Sequence, residues 1–131
     1  MTRSTLFLRR VLFADAALSC ATGAVMALGG GLMAPLTGLP QALLVTVGLS
    51  FLPYGALVAM LAGRASLSRP AVWAVIAYNA LWAVDSLVLL RTGWITPTVL
   101  GEAFVIFQAT VVGLFAALQC FGLRQSTALA G

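Results

Sequence analysis

Histidine and lysine are both absent from this 131-residue chain. The missing histidine removes the commonest transition-metal ligand, the usual haem ligand and the usual proton shuttle of neutral pH together. Cysteine is nearly absent too. Cys20 and Cys120 stand far apart in apolar runs, and no Cys-x-x-Cys pair offers a thiol–disulfide relay. Each reads as a small apolar packing residue. There are only three acids, Asp15, Asp85 and Glu102. Charged residues make up 8% of the chain, against about 25% in an ordinary soluble domain. A soluble fold would have too few polar side chains here to cover its core.

What the chain has instead is apolar length: 62% of its residues are hydrophobic. The apolar runs cover 11–33, 41–62, 71–90 and 98–123, and a helix needs about 20 residues to cross a hydrocarbon core. Backbone groups in lipid must bond within their own segment, so each run predicts a helix. None shows the charged face of a soluble amphipathic helix. The expected fold is therefore all-α, a membrane-embedded up-and-down four-helix bundle in one domain, with 124–131 as a short cytoplasmic tail. Turn-rich stretches at 34–40 and 91–97 and a polar stretch at 63–70 separate the helices. Arg9-Arg10 ahead of an apolar stretch has the outline of a signal peptide, and Leu18-Ser19-Cys20 that of a lipoprotein cleavage site. Asp15 inside that stretch, and the apolar run continuing past Cys20, favour a retained helix.

Arginine sets the expected orientation. Arg3, Arg9, Arg10, Arg64, Arg69 and Arg124 fall on one side of a four-span protein and Arg91 alone on the other. Basic residues favour the cytoplasmic side, which puts both termini in the cytoplasm of a bacterial inner membrane. The net charge of +4 thus reads as topology signals and interfacial anchors; no basic face for nucleic acid is formed. Trp73 and Trp94 suit aromatic belts. Small residues recur at four-residue spacing: Ser19, Gly23, Ala27 and Gly31, then Gly55, Ala59 and Gly63, then Ala109, Gly113 and Ala117. Such rows let helix backbones approach closely, within one chain or between copies.

Polar groups inside apolar helices are costly, so they are the candidates for function. Asp15 lies about a turn inside the first helix, with Ser19 and Thr22 on nearly the same face. Tyr54 and Gln119 are expected at its depth, as a cluster lining a cavity open to the cytoplasm. The alternative is that Asp15 pairs with Arg10 or another cytoplasmic arginine. Asp85 and Glu102 flank the 91–97 turn, either as a carboxylate pair sharing a proton or a cation, or as groups neutralised by Arg91 or by water. Asn79 and Gln108 are expected at matching depth near the midplane, as interhelical glue or as a ligand face with Trp82 and Ser86. Pro53 is expected to loosen the backbone beside Tyr54.

Several stretches resemble a group of small, uncharacterised bacterial four-helix membrane proteins. They are Leu52-Pro53-Tyr54, Asn79-Ala80-Leu81-Trp82 with Ser86, Pro97-Thr98 with Gly101 and Phe104-Val105, and Gln119 with Gly122-Leu123-Arg124. The resemblance covers most of the chain, implies the same four-span bundle and brings no activity. The chain is also similar to DoxX-like membrane proteins in size and helix count, from which no site residue carries over. Small multidrug exporters differ: they hold a glutamate in the middle of helix one, where this chain has Asp15 nearer the end.

Three functions follow as expectations. The first is a non-enzymatic accessory or binding protein, with the lipid bilayer and another membrane protein or a second copy as partners. The second is a small oligomeric transporter or channel using the intramembrane carboxylates. The third is a membrane enzyme or redox protein acting on a quinone or lipid, with any bound group against Asn79, Trp82 and Gln108. No nucleophile–base pair, metal motif or phosphate loop is visible, and neither cofactor nor metal is expected.

Overall fold

The computed structural model describes residues 3–126. The described chain is all-α: α1 Arg3–Thr37, α2 Gln41–Gly63, α3 Arg69–Thr92 and α4 Val99–Gln125. All four helices are long and apolar enough to cross a membrane. The expected tail at 124–131 falls mostly outside the described residues; α4 itself runs on to Gln125.

α1 is the main departure from the sequence pattern. It spans 35 residues, roughly 50 Å at 1.5 Å per residue, and passes the expected 11–33 limits at both ends. The arginine run that looked like a boundary lies inside the helix. Thr5, Leu8, Val11 and Leu12 form a buried stripe at helical spacing, so burial carries the helix back past its charges. Arg9 is accommodated because its guanidinium donates to the carbonyls of Ala62, Arg64 and Ala65, at and just past the end of α2. Those carbonyls have no partner within their own helix, and the negative end of the helix dipole favours a cation there. At its other end α1 continues through Pro35. A proline there forfeits only the bond to the Gly31 carbonyl, one turn back. The helix stops at Gly38, whose φ of 71° is left-handed and whose N–H reaches the Ala34 carbonyl at 2.9 Å.

Side chains cap the later helices. The Ser68 hydroxyl accepts from the Ala71 N–H at 3.4 Å, and the Thr98 hydroxyl accepts from the Gly101 N–H at 3.1 Å. Gly93, at φ 79°, ends α3.

Successive helices run antiparallel, and each end of the bundle is tied across. At the end bearing the termini, the Thr5 and Ser126 hydroxyls lie 2.7 Å apart, and Arg69 donates to the Leu123 carbonyl at 3.4 Å. At the opposite end the two turns interlock. The Thr98 N–H donates to the Thr37 carbonyl at 2.9 Å, and its hydroxyl donates to the Leu36 carbonyl at 2.7 Å.

α1 packs along α2 and α4, and α3 packs along α4, but α2 and α3 scarcely touch. The bundle is a ring open at one seam. Aromatic side chains bridge it: Tyr54 stacks on Tyr78 with centroids 4.6 Å apart, and Phe51 meets Trp82 edge-on at 5.2 Å. One apolar core, around Leu8, Leu12, Val58, Val72 and Leu123, fills the terminal end. A second, around Met26, Leu39, Leu44, Phe51 and Val105, lies toward the other end.

Candidate functional site

One side chain from each helix converges on a buried polar knot. Asp15 of α1, Asn79 of α3 and Gln119 of α4 are 3%, 2% and 0% exposed, and Tyr54 of α2 is half-buried beside them. Asp15 Oδ2 accepts from Asn79 Nδ2 at 2.9 Å and from Gln119 Nε2 at 2.8 Å. The Tyr54 hydroxyl shares its single proton between Asp15 Oδ2 at 3.0 Å and Asn79 Oδ1 at 2.8 Å. Ser19, one turn along α1, donates to Asp15 Oδ1 at 3.2 Å. Asn79 Nδ2 also donates to Gln119 Oε1 at 3.1 Å. The carboxyl of Asp15 is thus met by four neutral donors and by no cation among these partners. Arg9 is spent on the end of α2 and Arg10 is exposed, so the arginine pairing entertained for Asp15 is not the arrangement adopted.

Asn79 belongs to this knot and not to Gln108. Counting inward from the α3–α4 turn places Asn79 across from the Gln108 region. Side chains lean toward the N-terminus of their own helix. In an antiparallel pair that brings Asn79 and Gln119 toward each other. Gln108 instead accepts from the Trp82 indole N–H at 2.9 Å. Ser86, also on the Trp82 face, is buried and donates back to the Trp82 carbonyl at 2.8 Å.

Two cavities flank these groups. The smaller, about 120 Å³, runs from Asp15, Ser19 and Tyr54 toward Phe104 and Gln108. It therefore leads away from the terminal end, which Leu8, Leu12 and Leu123 fill completely; the expected opening toward that end is closed by apolar packing. The larger cavity, about 430 Å³, lies toward the opposite end, with walls from all four helices, including Val47 of α2 and Leu89 of α3 across the open seam. Thr22, Phe51, Trp82, Phe104 and Gln108 border both cavities, so the Trp82–Gln108 pair stands in the partition.

Asp85 and Glu102 make no hydrogen bond with each other among the described residues and differ in what they border. Both are exposed, but only Asp85 lines the larger cavity. Glu102 is exposed in the first turn of α4, where a carboxylate suits the helix dipole, and borders neither cavity. Among the described residues the Asp85 carboxylate makes no hydrogen bond or ion pair.

Sequence reasoning brought Asp15, Ser19, Tyr54 and Gln119 together but did not find the open seam, Phe51 and Tyr78 across it, or the capping arginines. A phenylalanine in an apolar helix carries no mark that distinguishes a cavity wall from a lipid-facing position. No family model, curated protein or solved structure matches this chain.

Proposed function

We propose that the chain is a multi-pass protein of the bacterial inner membrane, with both termini in the cytoplasm. In this reading it acts without catalysis, as a binding protein for a small lipophilic molecule that reaches it sideways from the bilayer. The observation that carries the reading is the cavity of about 430 Å³ beside the seam where α2 and α3 scarcely touch. Its size falls in the range of small-molecule sites, about 300–1,000 Å³. Its lining is mainly apolar, with Thr22, Trp82, Asp85, Ser86, Thr92, Trp94 and Gln108 as the residues that carry polar groups.

The outer surface supports the membrane placement. Leu28, Leu32 and Leu36 on α1, Val99 and Phe107 on α4, and Leu57 and Met60 on α2 are all largely exposed. Large apolar side chains spread over every outer face need an apolar solvent. Binding is favoured over conduction by the solid terminal end, where the Leu8–Leu12–Leu123 core and the Asp15 knot leave no path. Binding is favoured over redox or enzymatic use by the placement of Asn79. Its amide is consumed by Asp15, Tyr54 and Gln119, and the remaining polar pair, Trp82 and Gln108, satisfies itself.

The test is a neutral fluorescent probe of apolar cavities, 1-aminoanthracene, titrated onto the full chain in lipid nanodiscs. Saturable binding at one probe per chain is expected. Val47→Trp, which fills the cavity, is expected to abolish it without lowering the thermal unfolding midpoint. Absence of saturable binding, or binding indifferent to Val47→Trp, overturns the reading.

A further inference from the structure

We infer that the ligand of the larger cavity is a lipophilic monocation, with the Asp85 carboxylate as its counter-charge; this deepens the cavity-binding reading and rests on it. Two aspartates sit in opposite surroundings. Asp15 is enclosed by four donors. Asp85, an exposed residue, lines the larger, mainly apolar cavity and makes no hydrogen bond or ion pair among the described residues. An exposed carboxylate within an apolar span gains from compensation by a cation that can reach it.

The protein does not supply that compensation. Asp85 is the one charged side chain in the cavity lining. Arg91 lies six residues further along α3, about 240° around the helix, and is exposed outside the lining.

The rest of the wall selects the kind of cation. A hard inorganic ion needs about six oxygen ligands. Here the Ser86 and Thr92 hydroxyls are turned back to backbone carbonyls and the Gln108 carbonyl is taken by Trp82, so the Thr22 hydroxyl is the one further side-chain oxygen and the set falls well short of that number. What the wall offers beside Asp85 is the aromatic surface of Phe51, Trp82, Trp94 and Phe104. Ring faces attract soft, weakly hydrated cations such as alkylated ammonium or phosphonium groups, and the aliphatic remainder matches an apolar body. The cation neutralises Asp85, and the open seam admits a molecule already dissolved in the bilayer.

The experiment uses the full chain in phosphatidylcholine nanodiscs, whose surface carries no net charge. Binding of radiolabelled tetraphenylphosphonium is compared with that of uncharged triphenylphosphine oxide, in wild type and in Asp85→Asn, Asp85→Glu and Glu102→Gln. The expected result is saturable phosphonium binding that falls at least tenfold in Asp85→Asn and survives in Asp85→Glu and Glu102→Gln. The uncharged analogue should bind more weakly and ignore Asp85→Asn. Thermal unfolding midpoints confirm that each variant is folded; if Asp85→Asn is not, the Asp85→Glu result and the preference for the charged probe decide. Equal binding of both probes, or phosphonium binding unchanged in Asp85→Asn, overturns the monocation and leaves the cavity reading standing. Loss of phosphonium binding alone, with 1-aminoanthracene still bound, does the same. If neither phosphonium nor 1-aminoanthracene binds, both readings fall.

Discussion

Asp15 draws its role from the hydrogen count around it. Three donors from three other helices point at one carboxyl oxygen, and Ser19 points at the other. Removing the acceptor strands Gln119 Nε2 and leaves Tyr54 and Asn79 with one acceptor each; a buried unsatisfied donor costs about 1–3 kcal/mol. Asp15→Leu should therefore lower stability by on the order of 3 kcal/mol or more, read as the unfolding midpoint in detergent. Asp15→Asn should cost only about 1 kcal/mol, because its oxygen still faces the three donors and its amide meets the Ser19 hydroxyl. Equal stability of Asp15→Leu and wild type would remove the knot from the account of the fold.

At the level of elements, the α1–α2 contact depends on a few glycines, and they are not simply the ones at regular spacing. A Cβ on Gly48 would stand 2.7 Å from both the Ala27 nitrogen and the Gly23 carbonyl oxygen, and one on Gly23 would stand 2.6 Å from the Gly48 carbonyl oxygen. Backbone atoms do not yield as a flexible side chain does. Gly31 and Gly63, members of the regular rows, have ample room, and Gly29 has nothing within 4 Å. Gly48→Leu should force the helices apart and cost at least about 2–3 kcal/mol. Gly29→Ala should leave stability unchanged or raise it by up to about 1 kcal/mol, the helix-propensity gain. Chemical unfolding of the two variants side by side measures the contrast; similar effects would mean that close backbone approach does not hold α1 against α2.

For the molecule as a whole, the open seam and the closed terminal end are complementary. The interlocked turns at Thr37 and Thr98 tie the far end together, while α3 leans on α4 and meets α2 mainly through aromatic side chains and the Tyr54–Asn79 hydrogen bond. On the proposed reading, a ligand from the bilayer has to displace side chains there and no backbone. The orientation proposed from the arginines has its own check. A green fluorescent protein fused after Gly131 should fluoresce, and alkaline phosphatase at the same point should be inactive. Alkaline phosphatase inserted at residue 94, in the opposite turn, should be active. The reverse pattern overturns the orientation.

Four apolar runs were legible in the sequence because length and hydropathy are local properties, and the helices at 41–63 and 99–125 match them closely. Caps such as Ser68 and Thr98 are local as well. The grouping of Asp15, Ser19, Tyr54 and Gln119 was within reach because depth can be counted from the turns. Which partner each group takes was not. Asn79 reaches Gln119 through the lean of two antiparallel side chains, and Arg9 reaches carbonyls more than fifty residues away. α1 extends past its arginines because its first turns are buried against other helices and another helix end supplies carbonyls to receive one arginine. The sequence by itself determined the number of helices and their apolar character, since each residue's transfer energy belongs to that residue. The tertiary structure alone decided that one aspartate is enclosed by donors and another left facing a cavity, because compensation of a charge depends on what other helices bring to it.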